Sequence, residues 1–238
     1  MSYDEQEVIA GLRVRWQQQP ADATDEDAPF GLWVLADPDA TIDALTQEEF
    51  DRNDERMPYF AMVWASADSL VARVLAGSRL DGQHILDLGC GLGACGFAAA
   101  SRGAHVTFFD WEPRALEIVR ASAERQAPPV TRFRFVTGDW RQPPPLGLFD
   151  LILGADVLYE QRNAPAVAAF LADHLKPGAE AWIGDPGRPQ AGPFPALARA
   201  QGLELVSSDL MPPRPHGTEI TLLRVRLPAA PSASPDQG

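Results

Sequence analysis

The stretch that decides the fold is Ile85-Leu86-Asp87-Leu88-Gly89-Cys90-Gly91-Leu92-Gly93-Ala94-Cys95-Gly96. It begins as an apolar run and passes through alternating glycines into an alanine-rich segment, residues 94–101. Glycines at these positions permit a tight strand-to-helix turn and let a ligand approach the backbone closely. The start of the following helix offers free N–H groups and the positive end of its dipole. We therefore predict a strand, a ligand-binding turn and a helix.

Short apolar runs alternate with helical stretches around this turn. Two further apolar runs near the C-terminus have only a Pro-rich connection between them, which predicts an antiparallel pair. The alternation predicts an α/β fold: a Rossmann-like, doubly wound, mostly parallel seven-stranded sheet with a C-terminal antiparallel pair. The predicted strands are residues 84–88, 105–109, 132–136, 148–153, 180–183, 203–207 and 219–227, and the predicted helices are residues 66–76, 94–101, 113–126, 164–174 and 193–201.

The composition argues against several classes of partner. The chain has 238 residues and a net charge of −13, and a protein that neutralises phosphates needs a surplus of Lys and Arg, so we expect no nucleic-acid partner. No apolar run approaches the roughly 20 residues of a membrane span, and the acidic N-terminus is unlike a targeting peptide. Two cysteines, Cys90 and Cys95, and four scattered histidines suggest no metal site and fit a reducing, cytoplasmic compartment.

Two cofactors fit the glycine-rich turn. Gly91 to Gly96 matches the dinucleotide fingerprint G-x-G-x-x-G. The longer frame from Asp87 to Gly93 matches the acid-x-G-x-G-x-G signature of S-adenosylmethionine enzymes. A dinucleotide enzyme also needs a nicotinamide half-site and usually a second domain, and the residues before the first core strand do not resemble one. We favour S-adenosylmethionine and assign to it Asp87, Gly89, Cys90, Gly91 and Gly93.

Residues at the ends of the next two strands suit the adenosine part of such a cofactor. Asp110 ends the second core strand, where a carboxylate can accept hydrogen bonds from both ribose hydroxyls. Trp111 is placed to cover one face of the adenine. After the third strand, Asp139 is placed to accept from the adenine amino group and Trp140 to pack against the ring. Each of these residues also fits an ordinary turn or core-packing role.

Three further segments are Pro58-Tyr59-Phe60-Ala61-Met62-Val63-Trp64, Asp156-Val157-Leu158-Tyr159-Glu160 and Ile183-Gly184-Asp185-Pro186-Gly187-Arg188-Pro189. They resemble motifs of the seven-strand class I methyltransferases, and among them of the group of the electron-transfer-flavoprotein β-subunit lysine methyltransferase. The resemblance covers about residues 57 to 190, although Trp64 is followed by Ala-Ser-Ala where the family usually has Pro-Gly-Gly or Pro-Ser-Gly.

The resemblance implies an enzyme that transfers a methyl group from S-adenosylmethionine to a lysine amine of a protein. We predict a methyltransferase domain over residues 57–227, preceded by a polar and acidic N-terminal extension, residues 1–56, that packs on the core. Residues 228–238 are rich in Pro, Ala and Ser and are predicted to be a disordered tail. Ala155 joins the cofactor set, as does Trp64, which with Tyr59 would close over the methionine end, where aromatic faces favour a sulfonium.

A lysine acceptor also requires acidic groups. Its amine must lose a proton before attack, which costs about 4 kcal/mol at pH 7.4. Two cationic centres must also approach each other, and nearby carboxylates offset their repulsion. Asp156 and Glu160 flank Tyr159 just beyond the fourth core strand, where open α/β sheets bind substrates. We therefore assign these three residues as catalytic and expect Arg188 to order its own loop.

Two alternatives remain open. A small-molecule N- or O-methyltransferase would share the cofactor site and differ in the acceptor pocket. A cofactor-binding subunit without catalysis would keep the fold, but the presence of the glycines and of Asp110 argues against it. The sequence names neither the acceptor nor the oligomeric state.

We predict that the purified protein binds S-adenosylmethionine and S-adenosylhomocysteine and does not bind NAD. The reason is the frame at Asp87 combined with the carboxylate of Asp110. Isothermal titration calorimetry with the three compounds measures this. Binding of NAD without binding of S-adenosylhomocysteine would reverse the choice between the two cofactors.

Overall fold

The computed structural model describes residues 6–20, 29–51, 58–126, 132–215 and 217–229. Among these residues, no helix is both long enough and apolar enough to cross a bilayer. The strands are β1 (Gln6–Ile9), β2 (Leu12–Gln19), β3 (Phe30–Leu35), β4 (His84–Leu88), β5 (His105–Asp110), β6 (Phe133–Thr137), β7 (Phe149–Ala155), β8 (Leu175–Asp185), β9 (Glu204–Leu210) and β10 (Thr221–Arg226). The helices are α1 (Pro38–Asp51), α2 (Ala65–Leu75), α3 (Ala94–Ser101), α4 (Pro113–Arg125), α5 (Asn163–His174) and α6 (Phe194–Ala200).

Seven strands form the main sheet in the order β6-β5-β4-β7-β8-β10-β9. Strands β4 to β8 pair in parallel, and β10 pairs antiparallel with both β8 and β9. The predicted fold class, including the C-terminal antiparallel pair, is confirmed. Strand β5 pairs with β4 on one side, and β7 pairs with it on the other. Strand β4 therefore lies at the topological switch point, where open α/β sheets bind ligands.

The two faces of this sheet are covered by different helices. One face packs against α2, α3 and α4, and the other packs against α5 and α6. Helix α3 is apolar on all sides, and the N-terminal strands cover the surface that faces away from the main sheet. Phe97 of this helix is 1% exposed, and its ring centroid is 6.4 Å from that of Phe30 in β3. Helix α3, which follows the glycine-rich turn, therefore lies between the main sheet and the N-terminal strands.

The predicted elements differ from the observed ones mainly at their ends. Helix α3 has the predicted bounds, whereas β8 begins at Leu175 instead of residue 180. Pro177 and Gly178 are uncommon inside strands, so the sequence pattern did not predict this first part of β8. The backbone nevertheless continues the pairing, because Gly178 N donates to Leu227 O over 2.7 Å and Leu227 N donates to Ala179 O over 3.0 Å.

The N-terminal residues contain a three-stranded antiparallel sheet, β1-β2-β3. The apolar run Phe30–Leu35 forms β3, and no strand was predicted for β1 or β2. The hairpin between β1 and β2 turns through Ala10 and Gly11, which have φ of 53° and 77°. Strand β2 alternates apolar and polar residues from Leu12 to Trp16, and this signal was overlooked in the sequence. The sheet packs on α4, where Trp33 N donates to Ser122 Oγ over 2.9 Å. The boundary at residue 56 remains a prediction, and residues 230–238 of the predicted disordered tail lie outside the described residues.

We predict that Gly96→Ala destabilises the fold. A Cβ at this position would lie 2.3 Å from Phe108 Cε1, and that buried ring is itself packed against other aromatic rings. Overpacking of this kind costs about 1–3 kcal/mol. The control is Gly192→Ala, whose backbone is right-handed helical and whose Cβ would meet nothing closer than 3.4 Å. Urea unfolding measures both free energies, and equal values would contradict the close contact.

Candidate active site

A cavity of about 730 Å³, called the central cavity below, opens at the carboxyl ends of β4, β5 and β7. It brings together most of the predicted residues. Those that line it are Trp64, Asp87, Gly89, Cys90, Gly91, Asp110, Trp111, Trp140, Ala155, Asp156 and Tyr159. A second cavity of about 740 Å³, called the side cavity, shares with it the rings of Tyr59, Trp111, Trp140 and Tyr159.

The backbone of the turn after β4 lies open to the central cavity. Gly89 and Gly91 have φ of 63° and 50°, which L side chains rarely adopt. A Cβ at Gly89 would meet the Trp140 ring at 3.0 Å and Val157 at 3.2 Å, so the tryptophan occupies space that a side chain would need. The turn therefore requires glycine both for its conformation and for the close approach of an aromatic wall.

The sequence motif places Gly93 beside the cofactor, but the residues around it belong to the hydrophobic core. Gly93 precedes α3 with φ of 84°, and a Cβ there would lie 3.1 Å from Phe97, Phe108 and Val119. It faces the hydrophobic core and is not among the residues that line the central cavity. Its role in the structure is to let α3 pack tightly on the sheet, which is a role that the sequence motif does not separate from ligand contact.

Two buried carboxylates organise the turn. Asp87 Oδ2 accepts from Gly96 N over 2.7 Å and so caps the first turn of α3. Asp110 Oδ2 accepts from Gly91 N over 2.8 Å, and its Oδ1 accepts from Glu112 N over 3.0 Å. Burial raises the pKa of Asp87 to about 8 and the pKa of Asp110 to about 6. Because each carboxylate oxygen has two lone pairs, Asp110 can still accept from a ligand hydroxyl.

Aromatic rings form much of the remaining wall. Trp64 Nε1 donates to Tyr59 O over 2.7 Å, which fixes the indole beside α2. The rings of Tyr59 and Tyr159 lie with their centroids 4.7 Å apart at the boundary of the two cavities. Burial raises the pKa of the Tyr159 hydroxyl, which keeps it protonated. Such a wall suits a planar base and a cationic group more than a charged phosphate.

Arg188 lines the central cavity, which the sequence reasoning missed. Its Nε and Nη2 donate to the two oxygens of Asp156 over 2.5 and 2.8 Å, so this predicted catalytic carboxylate is ion-paired. Arg188 N also donates to Asp185 Oδ1 over 2.9 Å, so the expected ordering of its own loop is present as well. Tertiary proximity of two loops creates the pair, and no spacing rule in the sequence indicates it.

Asp139 and Glu160 line the side cavity and not the central cavity. Each carboxylate has an arginine partner two residues later. Arg141 Nε donates to both oxygens of Asp139 over 2.9 and 2.8 Å, and Arg162 pairs with Glu160. The Asp-x-Arg and Glu-x-Arg spacing in the sequence was the available signal for these pairs.

Comparison with known proteins places this geometry in a family. A family model described as "Methyltransferase domain" matches residues 85–178. The electron transfer flavoprotein beta subunit lysine methyltransferase of Xenopus laevis is 30% identical over 189 residues, which cover 72% of this chain and 76% of that protein. The chain belongs to the class I S-adenosylmethionine-dependent methyltransferases. The protein N-lysine methyltransferase METTL21A of Danio rerio is 35% identical over 130 residues, and the match covers 52% of this methyltransferase and 59% of that protein.

Solved structures share the fold of this methyltransferase. The magnesium protoporphyrin IX methyltransferase of Synechocystis PCC 6803 with bound SAM has a TM-score of 0.58 at 20% identity, covering 81% of this chain and 98% of that chain. The [4+2]-cyclase SpnF has the same TM-score at 19% identity, covering 71% and 84% of the two chains. Because one of these neighbours is named as a cyclase, the shared fold by itself does not determine the reaction.

The central cavity of the methyltransferase fits S-adenosylmethionine. The cofactor is positively charged at sulfur and amine and carries ribose hydroxyls that need acceptors. The cavity offers Asp87 and Asp110, which are 2% and 5% exposed, next to aromatic faces. Backbone free of side chains at Gly89 and Gly91 permits close contact.

We predict that affinity for S-adenosylhomocysteine rises with pH through about 6. A carboxylate accepts from ribose hydroxyls more strongly than a carboxylic acid, and burial raises the pKa of Asp110 to about 6. At pH 5 about one tenth of Asp110 is ionised in the free protein, so the dissociation constant should be about tenfold higher than at neutral pH. Asp110→Asn, titrated by calorimetry over the same range, should flatten this step. A step that persists unchanged in Asp110→Asn would assign the titration to another group.

Proposed function

We propose that this methyltransferase transfers the methyl group of S-adenosylmethionine to a lysine amine of a protein. The names of the relatives support this acceptor: they include lysine methyltransferases for the electron transfer flavoprotein beta subunit and, from Mus musculus, EEF1A. The observation that carries the proposal is the side cavity, which adjoins the central cavity across the Tyr59 and Tyr159 rings and contains Glu160. An extended alkylamine is the shape of substrate that such a connection admits.

We assign the cofactor to the central cavity along the edge of β4. Asp110 accepts from the ribose, and Trp111 and Trp140 hold the adenine at the border of the side cavity. Trp64 and Tyr59 cover the methionine end. The cofactor supplies a methyl group already activated by a sulfonium, so the protein's task is to align the acceptor with it and to exclude water.

The acceptor amine approaches past Tyr159 and Glu160. The two tyrosine rings pack on the methylene stem of a lysine, and the Glu160 carboxylate attracts its ammonium group. The amine loses a proton to solvent through the open side cavity, and its lone pair then forms the N–C bond as the S–C bond breaks. Asp156 contributes through its ion pair with Arg188 in the wall beside this path.

We also propose a reducing, cytoplasmic setting for the enzyme. Cys90 and Cys95 are both free thiols and both are buried at the cavity wall. Burial raises the pKa of each thiol, which keeps them protonated and unreactive. A pair of this kind has no need of an oxidising compartment.

A small amine is the second candidate acceptor, and the pairing of charges in the side cavity supports it. The cavity contains two acids and two arginines in pairs, so it is not the acidic groove that would attract a basic protein surface. The cypemycin N-terminal methyltransferase of a Streptomyces species is 33% identical over 121 residues, which cover 48% of this chain and 46% of that protein.

Labelling decides between the two acceptors. The purified enzyme is incubated with methyl-labelled S-adenosylmethionine and a lysate of the source cell, and the lysate is split into protein and small-molecule fractions. We expect a labelled protein whose tryptic peptide carries methyl-lysine by mass spectrometry. Label confined to the small-molecule fraction would overturn the proposal in favour of the second candidate.

We predict that Glu160→Gln raises the Michaelis constant for the acceptor about five- to tenfold and leaves the affinity for S-adenosylhomocysteine unchanged. The substitution removes the attracting charge and leaves the positive charge of Arg162 unbalanced, an effect of about 1 kcal/mol at a partly exposed site. The matched control is Asp173→Asn, which removes one negative charge at an exposed position on α5. Steady-state kinetics on the labelled acceptor measures both variants, and equal Michaelis constants would remove Glu160 from the acceptor path.

A further inference from the structure

The Asp156–Arg188 ion pair joins two loops of the cavity wall that lie 32 residues apart in the chain. Asp156 follows β7, and Arg188 follows β8. The guanidinium holds both carboxylate oxygens, and Asp156 is only 6% exposed. A two-pronged arginine–carboxylate pair fixes orientation as well as charge. The ion pair therefore fixes the orientation of the loop after β7 relative to the loop after β8.

The backbone at Asp156 is in the left-handed region, with φ of 56°. Among the described residues, Ala10 in the β1–β2 hairpin is the other non-glycine residue with a positive φ. A residue with a Cβ keeps this conformation only when its surroundings hold it. Here Asp156 N donates to Gly184 O over 2.8 Å, and Arg188 holds the side chain from the other end.

Arg188 is itself held firmly. Asp185, which is 3% exposed, accepts at Oδ1 from Gly187 N over 2.8 Å and from Arg188 N over 2.9 Å. The guanidinium carbon lies 5.9 Å from the centroid of the Trp64 ring. The guanidinium is therefore a fixed part of the wall between Asp156 and Trp64, and does not extend freely into solvent.

The direction of the chain at Asp156 determines where Tyr159 lies. Tyr159 is three residues further on, packs on Tyr59 and borders both cavities. We propose that Arg188 is a positioning residue for methyl transfer: it holds Asp156 in its left-handed conformation and thereby sets Tyr159 at the boundary that the acceptor amine must pass. This inference rests on the proposed function for its acceptor, but its structural part does not.

Hydrogen exchange tests the structural part without any acceptor. In the full-length protein with bound S-adenosylhomocysteine, Arg188→Met should speed amide exchange in a peptide covering residues 155–163 by about tenfold or more. The peptide covering residues 85–96 should be unchanged. The matched control is Arg79→Met, which breaks an arginine–aspartate pair whose side chains are 61% and 63% exposed. Unchanged exchange over residues 155–163 in Arg188→Met would overturn the proposal.

Kinetics tests the functional part on the acceptor identified by labelling. Arg188→Met should lower kcat about tenfold or more, with the dissociation constant for S-adenosylhomocysteine within about threefold of the wild type. Arg188→Lys keeps the charge but not the two-pronged geometry and should recover part of the loss. Because Arg188 acts through Asp156, the double variant Asp156→Asn, Arg188→Met should be no slower than the slower single variant.

Three further results would contradict the positioning role of Arg188. Loss of S-adenosylhomocysteine binding in Arg188→Met would make Arg188 a cofactor ligand and overturn the positioning role, as would full kcat or additive effects in the double variant. If Arg188→Met does not fold, Arg188→Lys is used in the same exchange and kinetic measurements. If the wild type labels no protein, the proposed function fails, and the exchange measurement still decides whether Arg188 holds the loop.

Discussion

The carboxylates of Asp87 and Asp110 hold the turn on which the rest of this structure depends. They lie at the ends of β4 and β5 and accept backbone N–H groups from the turn and from the first turn of α3. These bonds direct the chain sharply from the sheet into a helix while leaving the glycine backbone exposed to the cavity. Both side chains are buried, and burial raises their pKa values. A ligand that carries positive charge and hydroxyl groups favours their ionised form.

The wall opposite this turn depends on contacts between loops. The ends of β7 and β8 are neighbours in the sheet, and this adjacency brings Asp156 to Arg188. Tyr59, which contacts Tyr159, comes from the segment before α2. The proposed cofactor side of the site is thus built from one continuous segment and its neighbouring strand ends, whereas the proposed acceptor side is assembled from three separate segments. This division matches a family in which one cofactor serves many acceptors.

Sequence reasoning succeeded where periodicity and glycine spacing carry the information. The order of strands and helices, the bounds of α3 and the position of Asp110 beside the turn followed from the pattern. It failed at the hairpin of β1 and β2, although the alternation from Leu12 to Trp16 and the Ala10-Gly11 turn were available signals. The glycine motif also does not separate a glycine that faces the core, as Gly93 does, from one that faces a ligand.

The sequence by itself determined the α/β class and the strand-to-helix turn to which we assign the cofactor, because these depend on local patterns of apolar residues and glycines. Only the tertiary structure decided that Asp156, on the proposed acceptor side, is ion-paired. Asp156, Asp139 and Glu160 each have an arginine partner, and the partner of Asp156 comes from a loop 32 residues away. The strength of an ion pair depends on distance and burial, and for distant residues these are set by how the strands are ordered in the sheet.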